Sequence, residues 1–373
     1  MELNRIKSYL TKKGEFRYNV ISGTIELIEP LSKDAKILDD YFFNSLRIEL
    51  CEAGMRISLN DLYGLLFSSF STKYDPIQEY FRTLPPWTPD QPDYIRQLAD
   101  TISVDDQELW SEMLRKWLVA SVKCGMGLGV NSLMIILTAA QGLGKTLWMT
   151  ALIPSQLKPY CSSGTINFKD KDSTVNLSEC FLIFMDEMAN FRKGSYAELK
   201  EWLSKELIKV RRPYKRTSES MTRRSNFMGA TNEATFLYDQ TGSRRFLCFE
   251  PFDINYEHGI DINRVYAQAK YLLESGYLPY LTQKEIERIQ LHNSGFTVKT
   301  LEEELVNKHF IIPEDENGIF LTATDIMEWV VDKDSVAVQI LGPENIGRAL
   351  KSLGFKRIKK GESYGYLVEY RGR

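Results

Sequence analysis

The chain has 373 residues, of which 43% are hydrophobic and 26% are charged. These proportions are ordinary for a globular protein, and they exclude a collagen-like, a disordered and a disulfide-rich scaffold. The length predicts two or three domains. The net charge of −3 excludes a polycation that coats nucleic acid by overall attraction.

The charge is unevenly distributed along the chain. Residues 205–224 contain eight Lys or Arg against two Glu, and residues 351–373 contain seven against two. Two basic segments on an otherwise acidic chain indicate local anion-binding surfaces, although solvated surface stretches can have the same composition.

The N-terminus and the cysteines indicate the compartment. The first residues lack the apolar stretch of a signal peptide, and the longest apolar run, 132–140, is too short to cross a bilayer. We therefore expect a soluble cytoplasmic protein without a membrane partner. The five cysteines form no CxxC pair and lie far from the three histidines, which predicts buried free thiols rather than a zinc site.

The first third of the chain is predicted to be mostly helical. Residues 16–27 predict a small hairpin around Ser22-Gly23, and Ser58 is a plausible N-cap within the helical segments of 39–70. A proline-rich connector at 85–92 precedes a strongly amphipathic helix from about Asp106 to Val122.

The middle of the chain alternates apolar strands with helices, as in an α/β layer. The predicted central strands are short and continuously apolar, as in a covered parallel sheet; they are Leu133–Leu137, Phe181–Met185 and Phe227–Ala230. Helices are predicted over 262–276 and 282–292. Two further helices (Ala323–Val331 and Pro343–Leu353) and a basic hairpin around Gly361 then predict a winged-helix-like module.

A phosphate loop is the most specific motif. It follows the strand Leu133–Leu137 and precedes a predicted helix, Leu147–Ile153, so its backbone N–H groups can face phosphate oxygens. The candidate nucleotide-binding residues are Gln141, Gly142, Leu143, Gly144, Lys145 and Thr146. Lys145 can reach the β- and γ-phosphates, and the Thr146 hydroxyl can ligate Mg²⁺. Ala139 stands where the motif has its first Gly, and a plain Gly-rich turn is the alternative.

Polar residues follow the next two predicted strands. Asp186 and Glu187 end one strand, and Asn232 follows the other. We expect Asp186 to hold Mg²⁺, Glu187 to polarise the attacking water as general base, and Asn232 to orient that water. The alternative for Asp186 and Glu187 is that they only cap and solvate the strand end. The alternative for Asn232 is that it is buried and only satisfies backbone groups.

Arg244 and Arg245 lie in the segment TGSRRF. One of them can be an arginine that a neighbouring subunit inserts to neutralise charge on the transferred phosphoryl group. Either can instead form an internal salt bridge, and the sequence does not choose between the two.

In this order, the segments GLGKT, FMDE, RRPYKR, GATN and TGSRRF resemble the virulence-associated E family, which belongs among the superfamily three-like AAA+ helicases of phages and other mobile elements. The resemblance is strongest from about Leu114 to Phe296. It implies an ATP-driven ring helicase, usually a hexamer, that acts in the replication of mobile DNA. Relatives often carry a primase module, so a separate primase or initiator is an expected partner.

The expected fold is therefore α/β, with four parts: a mostly helical accessory region with a small hairpin (1–105), an AAA+ P-loop ATPase core (106–255), a helical connector (256–299) and a winged-helix-like domain (300–373).

The resemblance also implies that a hairpin, Val210–Ser225, projects into a central channel and tracks single-stranded DNA. The residues agree, because cations neutralise phosphates and Tyr214 can stack on a base. The cations are Arg211, Arg212, Lys215, Arg216, Arg223 and Arg224. In the C-terminal module, duplex contact is expected from the helix residues Asn345, Arg348 and Lys351 and from the hairpin residues Lys356, Arg357, Lys359 and Lys360.

Three functions remain open at this point. The first is an ATP-driven DNA helicase or translocase that hydrolyses ATP at subunit interfaces. The second is an ATP-gated oligomeric module that binds DNA or a partner, for initiator loading or interference, without unwinding. The third is a metabolic phosphotransferase, against which the arginine pair and the basic insertion argue.

Overall fold

The chain forms two units that divide between Phe296 and Thr297. The computed structural model describes residues 2–31, 35–164, 166–168, 170–186, 188, 191, 193–210, 218–238, 243–313, 318–334 and 341–371. Each unit mixes helices and strands, and the larger unit contains a parallel sheet. The finer four-part division stays a prediction.

The first hundred residues contain a four-stranded sheet in the order β3-β2-β1-β4. The elements are α1 (Glu2–Lys13), β1 (Glu15–Asn19), β2 (Ile25–Ile28), β3 (Ala35–Ile37), α2 (Asp40–Glu52), α3 (Leu59–Leu66), β4 (Thr72–Tyr74), α4 (Pro76–Thr83), α5 (Tyr94–Ala99) and β5 (Ile102–Ser103). The predicted hairpin is β1–β2, and Ser58 caps α3 by accepting a bond from the N–H of Asp61. The predicted hairpin is thus confirmed, and the structure adds the three-residue edge strands β3 and β4, which are too short to produce a visible alternation in the sequence.

A five-stranded parallel sheet forms the centre of the larger unit, in the order β12-β6-β11-β8-β7. The elements are α6 (Gln107–Gly125), β6 (Met134–Thr138), α7 (Lys145–Ala151), β7 (Cys161–Ser163), α8 (Lys171–Glu179), β8 (Leu182–Met185), α9 (Lys193–Ser204), β9 (Leu207–Val210), β10 (Glu219–Thr222), β11 (Asn226–Thr231), β12 (Phe246–Phe249), β13 (Asp253–Ile254), α10 (Ile262–Glu274) and α11 (Gln283–Asn293). The three predicted central strands are β6, β8 and β11.

The sheet is covered on both faces, which explains why its strands are continuously apolar. Along β6, Ile135 and Leu137 belong to one hydrophobic cluster, whereas Met134 and Ile136 belong to another. Because successive side chains point to opposite faces, this division assigns one cluster to each face of the sheet.

The amphipathic helix predicted from about Asp106 is α6. Asp106 is its N-cap residue, and the helix begins at Gln107. Its predicted apolar stripe is buried and packs in the same cluster as residues of α10. Neither α6 nor any other helix in the described ranges has the length and apolar character needed to span a membrane. The cysteines are free thiols, as expected, but Cys51 is exposed on α2 and Cys161 is only partly buried.

The C-terminal unit builds an antiparallel sheet around its last strand. The elements are α12 (Leu301–His309), β14 (Phe310–Ile311), β15 (Ile319–Leu321), α13 (Ala323–Lys333), α14 (Pro343–Ser352), β16 (Arg357–Lys360) and β17 (Ser363–Tyr370). β17 pairs antiparallel with β14, β15 and β16. Ile326, Val330, Ile346 and Val368 pack in its own core. The two predicted helices and the hairpin around Gly361 are thus confirmed.

The end of α6 provides a test of this packing. A Cβ added at Gly125 would lie 2.6 Å from a ring carbon of Phe81 and 3.0 Å from one of Phe181. We expect Gly125→Ala to lower the free energy of unfolding by about 1–3 kcal/mol, because both rings are buried and cannot yield. In α3, a Cβ at Gly64 meets no atom within 4 Å, so Gly64→Ala should raise stability by about 0.5–1 kcal/mol. Denaturant unfolding of both variants checks the opposite signs, and a stabilised Gly125→Ala protein would contradict the packing.

Candidate functional site

The loop between β6 and α7 has a conformation that requires glycine. Gly142 and Gly144 have φ angles of +89° and +93°, in the left-handed region. The N–H of Ala139 donates to the carbonyl of Thr231 at 3.2 Å, which ties the start of the loop to the end of β11. The helix that follows is α7, which begins at Lys145, two residues before its predicted start.

Lys145 lies almost buried at the end of this loop. Its Nζ donates to the carbonyls of Ala139 at 2.6 Å and Ala140 at 3.0 Å, and to Oδ1 of Asn232 at 2.9 Å. Burial lowers the pKa of Lys145, and the charge of Asp186 acts in the opposite direction. The hydrogen bonds of the ammonium group are thus made to neutral oxygens.

Three predicted site residues converge at the carboxyl edge of the sheet. Asn232 follows β11, and Asp186 follows β8 and is exposed. β11 lies between β6 and β8 in the sheet. Asn232 therefore lies between the loop after β6, which leads to Lys145, and the end of β8, where Asp186 follows. Thr146 is exposed next to Lys145 in the first turn of α7. This arrangement forms a polar cluster with a buried cation, which suits an anionic ligand.

The other loop residues are less buried than Lys145. Gln141 and Gly142 are exposed, whereas Leu143 is partly buried and packs against the apolar cluster that contains β6 residues. Several predicted residues lie outside the described part of the chain, and their roles stay predictions. They are Glu187, Arg211, Arg212, Tyr214, Lys215 and Arg216.

Tyr256 is a neighbour of the loop that sequence reasoning missed. A Cβ built on Gly144 would lie 2.4 Å from a ring carbon of Tyr256, so the ring occupies the space that only glycine leaves open. Tyr256 follows β13, which pairs with β5. No motif surrounds this residue, and the contact depends on a strand pairing over about 150 residues of chain, so the sequence contains no signal for it.

The two candidate arginines have different surroundings. Both lie in a short 3-10 helix, Ser243–Arg245. The Nε of Arg245 donates to Oγ of Ser204 on α9 at 3.3 Å. Arg244 is exposed and has no hydrogen bond or ion pair with any residue that the structure describes. Arg244 is therefore the more accessible of the two.

Arg223, which was expected to contact DNA, is buried instead. Its guanidinium donates to the carbonyls of Lys205 at 2.9 Å, Ser225 at 2.6 Å and Asn131 at 2.8 Å. Burial lowers the pKa of this residue. The expectation was wrong because this guanidinium donates to backbone carbonyls of chain segments that are distant in sequence.

Arg224 is also unavailable to a phosphate. It forms an ion pair of 2.9 Å with Asp75, and both side chains are largely buried. It also donates to the carbonyl of Gly125. Arg224 thus connects the end of α6 to the N-cap residue of α4, and its assignment as a DNA contact was wrong as well.

The remaining part of the predicted DNA hairpin is framed by two strands. β9 and β10 pair antiparallel, with Val210 opposite Glu219 and Leu207 opposite Thr222. In the C-terminal unit, Lys359 and Lys360 are exposed on β16. Arg348 of α14 is exposed and lies 3.7 Å from Glu344, in a weak helical ion pair.

The fold and the site define a mixed α/β protein with a buried lysine at the carboxyl edge of a parallel sheet. A family model described as the virulence-associated protein E-like domain matches residues 83–298, more than half of the chain. The chain belongs to this family, which confirms the resemblance found in the sequence.

Solved structures show a related fold. The chain is similar to the apo structure of the NrS-1 C terminal region (305-718), with 14% identity, 97% coverage of each chain and a TM-score of 0.50. It is also similar to the A form apo structure of the NrS-1 C terminal region, with 14% identity, 98% coverage of each chain and a TM-score of 0.50. No curated protein matches the sequence. At this identity the likeness concerns the fold alone.

The burial of Arg223 leads to a stability prediction. We expect Arg223→Met to lower the free energy of unfolding by about 1–3 kcal/mol, because it leaves buried carbonyls without donors. The exposed Arg348 is the matched control, and Arg348→Met should change stability by less than about 0.5 kcal/mol. Denaturant titration of both variants measures the difference, and equal stabilities would show that the carbonyls of Asn131 and Ser225 do not need the guanidinium.

Proposed function

We propose that this protein is an AAA+ P-loop ATPase that moves along or unwinds DNA during replication of a mobile genetic element. The observation that supports it best is the convergence of Lys145, Asn232 and Asp186 at one edge of a parallel sheet. One triphosphate can contact a loop lysine, a strand-end amide and a strand-end acid only if these three lie together. Family membership supports the same proposal.

The order of the sheet supports a P-loop core. β11 is inserted between the strand of the loop, β6, and the strand of the acid, β8. In a parallel sheet, ligands bind outside the carboxyl ends of the strands, which is the edge where Lys145, Asp186 and Asn232 lie. Nζ of Lys145 donates to neutral oxygens, and a β- or γ-phosphate oxygen can replace one of them with a stronger charged hydrogen bond.

Each side chain has a separate role in this proposal. Lys145 neutralises the β- and γ-phosphates, and Asn232 orients the attacking water, which Glu187 polarises. Thr146 and Asp186 are hard oxygen donors, and both are exposed beside the loop, so they fit a magnesium ion. Bound Mg²⁺ would supply neutralising charge to the phosphates.

The exposed arginine supports hydrolysis between subunits. Arg244 has no partner among the described residues, whereas Arg245 is bound to α9. We therefore assign Arg244 as the residue that reaches the phosphates of a neighbouring subunit, and Arg245 as the residue that positions the 3-10 helix. A ring, expected to be hexameric, gives each site such a neighbour.

DNA is the proposed track. The β9–β10 ladder flanks Arg211, Arg212, Tyr214, Lys215 and Arg216, which together can bind the phosphates and a base of a single strand. In the C-terminal unit, the order of one helix, two short strands, two helices and a hairpin supports a winged-helix-like module. Its residues Lys359 and Lys360 are candidates for contact with a duplex backbone.

Replacement of the loop lysine tests the proposed site. Lys145→Ala should reduce ATP hydrolysis by about a hundredfold or more, because the charge on the phosphates is no longer offset. Phosphate release with magnesium and ATP measures the effect. Lys158→Ala removes an exposed lysine from the segment after α7 and should hydrolyse ATP normally. Hydrolysis at the unmodified rate in Lys145→Ala would refute the nucleotide site.

A forked DNA substrate separates unwinding from gating. Strand displacement that depends on ATP and fails in Lys145→Ala supports the helicase. Hydrolysis and DNA binding without displacement would support the ATP-gated binding module instead.

A mixing experiment tests the arginine assignment. Arg244→Ala should reduce hydrolysis about a thousandfold, because the developing charge loses its partner, while Arg245→Ala should have a smaller effect. Arg244→Ala and Lys145→Ala proteins, each inactive alone, should regain part of the activity when mixed, since some interfaces then combine an intact loop with an intact Arg244. Absence of any recovery, in mixtures proven to co-assemble, would refute supply from the neighbour.

A further inference from the structure

The hairpin of β16 and β17 concentrates the positive charge of the C-terminal unit. Residues 297–373 contain 11 Lys or Arg against 13 Asp or Glu, so this unit as a whole is slightly acidic. Yet Lys356, Arg357, Lys359 and Lys360 lie within five consecutive positions that contain no acid, and all four are exposed. Within the described ranges, none of the four has a carboxylate at ion-pair distance. These four cations are therefore unpaired within the part of the chain that the structure describes.

An exposed aromatic ring lies among these cations. Tyr364 is 55% exposed on β17. The guanidinium carbon of Arg357 lies 4.6 Å from the centroid of its ring, and Nζ of Lys359 lies 5.6 Å from it. Lys359 is directly opposite Tyr364 in the strand pairing, and Arg357 is two positions along, so the three side chains share one face.

The strand that carries Tyr364, β17, is held in place by contacts of the two residues that follow Tyr364. The next residue on the same face, Tyr366, is buried and donates from its hydroxyl to the carbonyl of Gly347 on α14 at 3.2 Å. On the opposite face, Gly365 leaves room for the ring of Phe320, because a Cβ there would lie 2.6 Å from it. A ring held on an anchored strand loses little freedom when a ligand stacks on it.

We propose that Tyr364, Arg357 and Lys359 form a stacking platform for unpaired nucleotides. This inference rests on the proposed action on DNA and specifies which form of DNA the hairpin takes. A base stacks on the ring, and the two cations contact the flanking phosphates. Bases inside a duplex are already stacked and cannot reach the ring, so the platform prefers a single strand or an open end. A purely electrostatic wing would need the cations but not the exposed ring.

The stacking half of the proposal is tested with the full chain. Fluorescence anisotropy compares a labelled oligothymidine, an abasic strand of equal length and a blunt duplex. Tyr364→Ala should weaken oligothymidine binding about tenfold and leave the abasic strand and the duplex unchanged, whereas Tyr364→Phe should bind normally. Tyr280 is also 55% exposed and has no cation over its ring among the described residues, so Tyr280→Ala is the matched control.

Photo-crosslinking locates the stack independently of other DNA contacts. A strand that contains 5-iodouracil should crosslink to Tyr364, and mass spectrometry identifies the residue. Equal losses for oligothymidine and the abasic strand would overturn the proposal, as would unchanged binding in Tyr364→Ala together with no crosslink. An acidic peptide could also compete with DNA for this hairpin. If that competition required Arg357 and Lys359 but not Tyr364, the proposal would be overturned.

The charge half has its own readout. Arg357→Ala and Lys359→Ala should each flatten the dependence of log affinity on log salt for single strands by about 0.7. Lys284→Ala, which removes an exposed lysine of α11, should not. Unchanged slopes in both hairpin variants would overturn the platform. The crosslink should persist in Lys145→Ala, so a failure of ATP hydrolysis leaves this inference standing and a missing crosslink leaves hydrolysis unaffected.

Discussion

The arrangement of the site depends on how the fold holds one buried ammonium group. An isolated charge in an apolar interior is very unfavourable, so Lys145 needs acceptors for its three donors. The structure supplies the carbonyls of Ala139 and Ala140 and the side-chain oxygen of Asn232. These oxygens satisfy the hydrogen bonds but bring no full negative charge. Asp186 compensates only in part, because it is exposed and screened by water. An anion bound here would therefore offer Lys145 a stronger partner than these neutral oxygens.

The register of the central sheet creates this geometry. Thr138 is opposite Thr231, so the loop that leaves β6 and the residue that follows β11 begin at the same height. The hydroxyl of Thr138 also donates to the carbonyl of Glu233 at 2.8 Å, which ties the two chain segments together beyond the last pair. A slip of one residue would exchange the two faces of β11 and bury its side chains against the wrong cluster. Packing on both faces of the sheet thereby fixes the distance between Lys145 and Asn232.

The sequence predicted the parts of the molecule that depend on local pattern. Continuous apolar runs identified β6, β8 and β11. The glycine-rich loop identified Lys145, and the positions after β8 and β11 identified Asp186 and Asn232. Contacts between segments that are distant in the sequence were not predicted. Tyr256 reaches Gly144 through a strand pair that no motif indicates. The N-terminal sheet escaped for another reason, since strands of three residues are too short for an alternation to be recognised.

Arginines of one basic segment and one basic hairpin show why composition alone does not identify an anion-binding surface. Arg223 gives its donors to backbone carbonyls, and Arg224 gives its charge to Asp75. Arg357 lies over an exposed ring and meets no described carboxylate. Arginine thus has three different roles here. Arg223 satisfies buried carbonyls, Arg224 connects two helices, and Arg357 remains available to a ligand. What distinguishes these cases is the partner of the guanidinium, because a charge whose donors are already satisfied inside the protein gains little from a phosphate. A basic stretch predicts a binding surface only to the extent that the fold leaves its cations without such partners.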